Sequence, residues 1–382
     1  MEPARPLFLS LLAAFFALAG TGVAYGKTFC VRAGSYNIRC ETTNDTGDRA
    51  WNSRKSSLVS LVKKMNCDVI GFQEVKESQK TYLADKLTGY TFYAGKESGS
   101  SEFVPVAYKT ARFDRLDGGT FWLSDTPNKQ SKFDDSQYHR ICTWVLLRDK
   151  STPGKLLFAS THLDLVKAVR LKQMQVILNF AAKYLTDRIN VVVVGDMNEY
   201  ENNAAMTKAA KVFVDSAVAA KSVSGPWRTF NDWTYFAPGA EPTAEHALTL
   251  PVSNRNPVKS GDNDHKRIDF IFASELTAVD SYAVRNDTQS NKQVYPSDHY
   301  PIYSDLVLPI RRLTQEGRIK VKISADCPYV SGGRRFVLTN GAYLEDASNI
   351  DFVLPEWVLR AAVEDGEIVI YTRPKPFCLR IK

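Results

Sequence analysis

Acid, amide and imidazole side chains occur in this chain at the ends of short apolar runs, where they could do chemistry together. The strongest local signal is Gly195-Asp196-Met197-Asn198, which follows four consecutive valines. Side chains at positions i and i+2 of an extended segment point the same way, so Asp196 and Asn198 can face one phosphate. An Asx turn after a strand is the structural alternative for the same residues.

Five further pieces of the same kind are spread along the chain. They are Asn37, Gln73-Glu74, Thr161-His162, Arg267-Ile268-Asp269 and Pro296-Ser297-Asp298-His299. Carboxylate and amide oxygens are the ligands that Mg²⁺ prefers, and a bound divalent cation neutralises and polarises a phosphate. The two imidazoles add groups that transfer protons near neutral pH. The set therefore predicts metal-dependent phosphoester chemistry.

The order of these motifs resembles that of the endonuclease/exonuclease/phosphatase superfamily, which includes deoxyribonuclease I and the abasic-site endonucleases. The resemblance covers residues 28–309. It implies an α+β fold, a four-layer α/β/β/α sandwich with two sheets between layers of helices. It also implies hydrolysis of phosphoesters with Mg²⁺, or Mn²⁺ in its place.

The resemblance assigns the metal to Glu74 and Asp298, with Asn37 as a further contact on the phosphate or metal side. Glu74 follows the apolar run Val69–Phe72, where the family carries its metal-binding Glu after a Gln. An exposed acid at a strand end is the structural alternative for Glu74.

The resemblance also implies catalytic roles around the Gly-Asp-Met-Asn motif. Asp196 would orient or deprotonate the attacking water, and Asn198 would bind the phosphate or the metal. His299 would stabilise the transition state or accept a proton, with Asp269 holding its imidazole in the required tautomer.

His162 would bind the phosphate or protonate the leaving oxygen, and Glu102 is the acid expected to orient it. Glu102 stands six residues before an aromatic-basic pair, as an acid does in the family. Lys76 and Arg140 occupy positions where family members place basic phosphate contacts. A solvated lysine and an ion pair at the rim are the structural alternatives for these two residues.

The elements that must position these residues follow from the apolar pattern. The valine run Val191–Val194 predicts a central strand buried on both faces, and Leu171–Tyr184 has the spacing of a helix. Helices alternate with strands around an antiparallel middle section, which predicts two packed sheets with helices outside. The last strands predicted for this body are Ile268–Phe272 and Ile302–Leu308.

The chain is predicted to have three parts: a signal peptide over residues 1–26, a catalytic domain over 27–310 and a small β-rich appendage over 311–382. The appendage is too small to be stable on its core alone, and a disulfide between Cys327 and Cys378 is expected to bridge its ends. Strands are predicted at Ile319–Ile323, Arg335–Leu338 and Glu367–Tyr371, and a short helix at Leu354–Val363.

The first residues have the pattern of a secretory signal peptide. A short region with Arg5 precedes the apolar run Leu7–Gly20, and small residues follow up to Gly26. The apolar run is short for a bilayer span, so we expect cleavage, no stable membrane span in the mature chain, and a secreted, periplasmic or extracellular protein. Six cysteines in an exported chain predict disulfides, whose pairing the sequence does not determine.

The net charge of +7 favours a polyanionic substrate, because lysine and arginine displace counterions from phosphates. Nucleic acid is therefore the first substrate predicted, and no protein partner can be inferred. The alternative is a phospholipid or sugar-phosphate ester, as in the sphingomyelinase and inositol-phosphatase branches. The Trp-Cys-Asp-Arg segment of the inositol 5-phosphatases is replaced here by Arg267-Ile268-Asp269-Phe270. A catalytically dead binding module would show gaps in the set of site residues, and the sequence shows none.

Overall fold

The structure is a computed structural model of the chain. It describes residues 28–310 apart from 96, 97, 100, 188, 238, 251–266, 290 and 291, and beyond them only strands of the C-terminal region. The chain divides into two compact units, one that ends at Arg311 and one that begins at Arg312. The predicted signal peptide and the predicted Cys327–Cys378 bond lie outside what is described of these residues, so both stay predictions.

The residues described in the larger unit form thirteen strands and six α-helices. The strands are β1 (Thr28–Asn37), β2 (Val69–Gln73), β3 (Tyr90–Tyr93), β4 (Val106–Lys109), β5 (Phe113–Trp122), β6 (Ile141–Asp149), β7 (Lys155–His162), β8 (Asn190–Asp196), β9 (Phe213–Asp215), β10 (Ser222–Ser224), β11 (Asp269–Ser274), β12 (Ala278–Val284) and β13 (Ile302–Pro309). The helices are α1 (Trp51–Met65), α2 (Glu77–Lys86), α3 (Lys167–Thr186), α4 (Ala204–Ala209), α5 (Ser216–Ala219) and α6 (Ala244–Thr249).

The strands form two mixed sheets. One has seven strands in the order β10-β12-β13-β1-β2-β4-β3, and the other has six in the order β5-β6-β7-β8-β11-β9. In the first sheet β1 is central, because it pairs antiparallel with β13 and parallel with β2. This places the carboxyl ends of β1 and β2 side by side, with Asn37 opposite Gln73.

In the second sheet the register brings three site residues into one row. Strands β7 and β8 are parallel with His162 opposite Asp196, and β11 runs antiparallel to β8 with Asp269 opposite Asp196. Every residue of β8 is buried, as its valine run predicts for a central strand covered on both faces.

Apolar clusters on both faces of each sheet explain the layering. Residues of both sheets, such as Val31, Val69, Phe158 and Val192, share one core between them. A second cluster packs α3 on the outer face of the six-stranded sheet, and a third packs α1 and α2 on the seven-stranded sheet. The prediction of a four-layer α/β/β/α sandwich is confirmed.

Strand β12 and the region Leu354–Val363 are among the places where the structure differs from the sequence-based prediction. Strand β12 (Ala278–Val284) was not predicted, because a bulge between Val279 and Ser281 breaks the alternation by which a strand is recognised. The region Leu354–Val363 was predicted as a helix, but it contains a strand. The strands described in the smaller unit are β14 (Arg318–Lys320), β15 (Cys327–Ser331), β16 (Arg334–Leu338), β17 (Tyr343–Glu345), β18 (Val358–Glu364), β19 (Glu367–Thr372) and β20 (Leu379–Arg380).

The cysteines of the larger unit do not form the predicted disulfides. Cys30, Cys40, Cys67 and Cys142 are all free thiols, and the last two are buried. Among the residues that the structure describes, no helix is both long and apolar enough to cross a membrane.

Candidate active site

The site lies where the ends of β1 and β2 in one sheet meet the ends of β7 and β8 and the start of β11 in the other. Gly195 is needed to bring Asp196 there, since a Cβ at this position would lie 2.0 Å from the carbonyl oxygen of Thr161 on β7. Asn198 and Glu74 both have left-handed backbones, with φ of 49° and 59°. Such backbones cost free energy in residues other than glycine and cluster at functional sites.

Asp196 is the centre of the arrangement. Its buried carboxylate lies between two imidazoles, with Oδ2 at 3.4 Å from Nε2 of His162 and 3.6 Å from Nε2 of His299. The side chain of Asn37 donates to the same oxygen at 3.0 Å. The backbone N–H of Asn198 donates to Oδ1 at 2.8 Å. Burial raises the pKa of Asp196 to about 7; the charge of His299 opposes this shift and that of Asp269 adds to it.

His299 is held as a cation by two acids. Its Nδ1 lies 2.9 Å from Oδ2 of Asp269, the partner expected from the sequence. Burial alone would lower the pKa of this imidazole, but the carboxylates of Asp269 and Asp196 raise it to about 10. The ring also packs against Phe230, with centroids 4.9 Å apart. A protonated, oriented His299 can donate from Nε2 to an anion.

His162 has a different partner from the one predicted. Its Nδ1 lies 2.9 Å from Nη1 of Arg140, whereas the predicted partner Glu102 pairs with Lys76 at 3.6 Å. Burial and the charge of Arg140 lower the pKa of His162 well below its usual value, so the ring is neutral. A guanidinium only donates. Nδ1 therefore accepts, and the proton of His162 is on Nε2, which faces Asp196.

Lys76 and Arg140 were predicted to contact the phosphate, and the structure shows the protein partners of both residues. Lys76 is half-buried and its charge is shared with Glu102. Arg140 is buried and donates to Nδ1 of His162, which sets the tautomer of the histidine. A direct contact of either basic residue with the phosphate stays a prediction.

Glu74 is tied to the end of β1 through both carboxylate oxygens. Asn37 donates to Oε1 at 2.9 Å, and the backbone N–H of Cys40 donates to Oε2 at 3.1 Å. Burial would raise the pKa of Glu74, but the charges of the two histidines and the bond from Asn37 lower it to about 2. Glu74 is therefore a carboxylate at all ordinary pH values.

Asp298 is a further buried acid of the site. Its carboxylate is buried, and its Oδ2 lies 3.8 Å from Nη1 of Arg39. Its backbone carbonyl accepts from the N–H groups of Asn231 and Asp232, which anchors the loop after β10 to the site. Burial raises the pKa of Asp298 to about 6; the charge of His299 opposes this shift and that of Glu74 adds to it.

Sequence reasoning missed Arg54, which positions the two loops of the site. This side chain of α1 is fully buried, yet its hydrogen bonds go to the backbone carbonyls of Ile38, Arg39, Arg49 and Pro296. It thereby connects the turn after β1 to the segment that carries Asp298. A charged residue four positions before Leu58, on the apolar face of an amphipathic helix, was the signal that could have identified it.

Replacing Arg54 by Met should destabilise the fold by about 2–4 kcal/mol, because several buried carbonyl groups would lose their donor together. Urea unfolding would measure the change, with Arg148→Met on the exposed face of β6 as the control. A loss below about 1 kcal/mol would show that water or neighbouring groups replace the guanidinium.

The donor set fits a hard divalent cation. Two compact groups among the described residues could hold an ion: Glu74 with His162 and Asp196, and Asp196 with Asp269 and His299. Neither imidazole is a suitable ligand, because both Nε2 atoms carry protons and both Nδ1 atoms are hydrogen-bonded, to Arg140 and Asp269 respectively. The ligands left are the carboxylate oxygens of Glu74 and Asp298 and the amide oxygens of Asn37 and Asn198, which suit Mg²⁺ or Mn²⁺. Burial raises the pKa values of Asp196 and Asp298, with a smaller contribution from neighbouring carboxylates, and a bound cation would offset both effects.

A sequence model of the Endonuclease/Exonuclease/phosphatase family matches residues 34–299, which include every residue of this site. The chain belongs to the endonuclease/exonuclease/phosphatase family. Members of the family are phosphoesterases, and the family is generally dependent on divalent metals.

Solved structures of the family resemble the larger unit closely. A family protein from Bacteroides thetaiotaomicron is 26% identical, with a TM-score of 0.61 over 74% of this chain and 99% of its own. A mannosyl-6-phosphatase from the same species is also 26% identical, with a TM-score of 0.61 over 73% of this chain and 100% of its own.

More distant family structures share the fold alone. TDP2 from D. rerio, solved with a single-strand DNA product, is 19% identical, with a TM-score of 0.52 over 72% of this chain and 98% of its own. Among curated proteins, a protein of Acanthamoeba polyphaga mimivirus is 24% identical over 159 residues. That match spans 39% of this chain and 59% of the mimivirus protein.

Proposed function

We propose that this chain is a phosphoester hydrolase that works with a bound Mg²⁺ or Mn²⁺. The observation that carries the proposal is the Asp196 carboxylate, held between a neutral and a protonated imidazole beside the carboxylate of Glu74. This arrangement suits hydrolysis of an anionic ester, because it combines a base, two N–H donors and a cation site.

Glu74 and Asp298, with the amide oxygens of Asn37 and Asn198, would hold the cation. When bound, the cation neutralises the phosphate and polarises its phosphorus–oxygen bonds. Asn198 has its amide nitrogen committed to the carbonyl of Leu163 at 2.9 Å, so it would offer its oxygen.

Asp196 would orient the attacking water and accept its proton, since its pKa near 7 suits a group that exchanges protons at neutral pH. His299 would donate from Nε2 to a non-bridging oxygen, where negative charge grows in the transition state. His162, whose Nε2 carries the proton, would bind a phosphate oxygen or protonate the leaving oxygen.

Of the predicted substrate classes, a sugar phosphate is now favoured over nucleic acid. The mannosyl-6-phosphatase is 26% identical to this chain, whereas the DNA-bound TDP2 is 19% identical. Nucleic acid stays the second candidate, because the net charge of +7 favours a polyanion. Export through the predicted signal peptide, and with it a location outside the cytoplasm, also stays a proposal.

A substrate panel would test the proposal directly. The purified chain with Mg²⁺ should hydrolyse at least one of a hexose 6-phosphate, single-stranded DNA, RNA, sphingomyelin, an inositol phosphate and an aryl phosphodiester. We expect the highest kcat/KM with the hexose 6-phosphate, because that ester matches the more similar relative. Release of phosphate or a new terminus would be measured for each ester at the same low salt concentration. No turnover of any ester with either metal would contradict the proposed function.

A further inference from the structure

Two large apolar side chains are exposed next to the His162–Arg140 pair. Tyr138 comes two residues before Arg140 and is 39% exposed, and Leu165 comes three residues after His162 and is 50% exposed. Single exposed apolar residues are ordinary on a protein surface. These two differ because they flank one functional pair from both sides.

A buried carboxylate holds the two flanking segments together. Asp164 accepts from the backbone N–H of Tyr138 at 2.9 Å and from that of Val166 at 2.9 Å. A third bond, from the N–H of Gln137, is 3.3 Å long. The segments before Arg140 and after His162 are therefore fixed to one side chain, so Tyr138 and Leu165 belong to one rigid edge.

The side chains and backbone of this edge are also restrained. The centroid of the Tyr138 ring lies 5.1 Å from the guanidinium carbon of Arg140. The side-chain amide of Gln137 donates to the Tyr138 hydroxyl at 3.0 Å. The carbonyl of Leu165 accepts from Arg170 at 2.8 Å, and Arg170 forms a buried ion pair with Glu199, the neighbour of Asn198. An aromatic surface that is already ordered binds a ligand without an added entropic cost.

We propose that Tyr138 and Leu165 bind the ring of the leaving group, a sugar ring in the favoured substrate class. The inference rests on the proposed function. In that reaction His162 would contact the phosphate through Nε2, while Arg140 occupies its other nitrogen and lies against the ring of Tyr138. A leaving group larger than a hydroxyl must extend from the phosphate past the rim of the site, and Tyr138 and Leu165 are exposed apolar side chains on the segments of that rim that carry Arg140 and His162. The C–H face of a pyranose is apolar and fits an aromatic ring beside an aliphatic side chain.

The test uses the full chain with Mg²⁺ and compares a hexose 6-phosphate with inorganic phosphate. Tyr138→Ser, Leu165→Ser and the double variant should lower kcat/KM for the hexose 6-phosphate, the double variant by about tenfold. The inhibition constant of inorganic phosphate, which has no leaving group, should stay within about twofold. Tyr138→Phe keeps the ring and should retain most of the activity.

Matched controls come from two other exposed apolar residues. Leu276, in the turn between β11 and β12, is 64% exposed, and Val218 of α5 is 51% exposed. Leu276→Ser and Val218→Ser remove comparable apolar surface outside the site and should change neither constant.

The outcomes separate this inference from the proposed function. If the unchanged chain hydrolyses the hexose 6-phosphate and the Tyr138 and Leu165 variants behave like the controls, the inference is wrong and the function stands. Equal weakening of phosphate inhibition would also overturn it, because it would indicate a disturbed phosphate site. If only DNA or RNA is hydrolysed, the sugar subsite is wrong and the hydrolase remains. If no ester is hydrolysed, both are wrong.

Discussion

Replacing Asp196 by Asn is expected to lower kcat by about 10²-fold or more while the fold stays intact. An amide cannot accept the proton of water, and it removes the negative charge that lies 3.6 Å from Nε2 of His299. The amide oxygen can still accept from the N–H of Asn198, so the turn after β8 should keep its shape. Steady-state kinetics with saturating Mg²⁺ would measure the change.

Asp149→Asn is the matched control for the loss of a buried carboxylate. Asp149 ends β6 at the hairpin far from His162, where its partners are Arg112 and Ser151. This variant should lose some stability but keep its kcat. A kcat for Asp196→Asn within about threefold of the unchanged chain would remove Asp196 from the reaction.

Removing the divalent cation should bring turnover down to the background rate. The substrate is an anion, and the site surrounds it with the carboxylates of Glu74, Asp196 and Asp298. The negative charge of these carboxylates would repel a phosphate unless a cation offsets it. Excess chelator should therefore abolish hydrolysis, and added Mg²⁺ or Mn²⁺ should restore it.

Two glutamates three positions apart, Glu74 and Glu77, provide a test variant and its matched control for this experiment. Glu74→Gln should raise the Mg²⁺ concentration for half-maximal activity by about tenfold, since one charged ligand is lost. Glu77→Gln, an exposed residue at the start of α2 that pairs with Lys80, should leave that concentration unchanged. Full activity of the unchanged chain in excess chelator would exclude a metal-dependent reaction.

The sequence predicted those parts of the site that depend on short-range pattern. The valine run before Gly195-Asp196 indicates a buried strand, and a residue at the end of such a strand points into the edge of the sheet. Asp269 was likewise placed beside His299, because both belong to motifs whose order along the chain is that of the family. In the structure the two residues are in contact, although they are 30 positions apart.

The parts that were missed depend on contacts between distant segments. The choice between Glu102 and Arg140 as the partner of His162 follows from the pairing of β6 with β7, which no local pattern reveals. Arg54 connects carbonyl groups up to 242 positions away, and its place in a helix gives only the weak signal of a polar residue on a buried face. The bulge in β12 hid that strand, because recognition of strands relies on unbroken alternation.

The pairing of β1 with β13 sets an order of events during synthesis. Thr28 lies opposite Pro309, so the first strand of the sandwich is completed by the strand of the sandwich that is synthesised last. A nascent chain that stops just before residue 302 would contain Asp298 but not β13, so one edge of β1 would be exposed and the sheet could not be completed. Contacts of such long sequence separation slow folding, and an unpaired strand edge favours aggregation. Chaperone protection of the growing chain is therefore expected to matter more for this protein than for a helical protein of equal length.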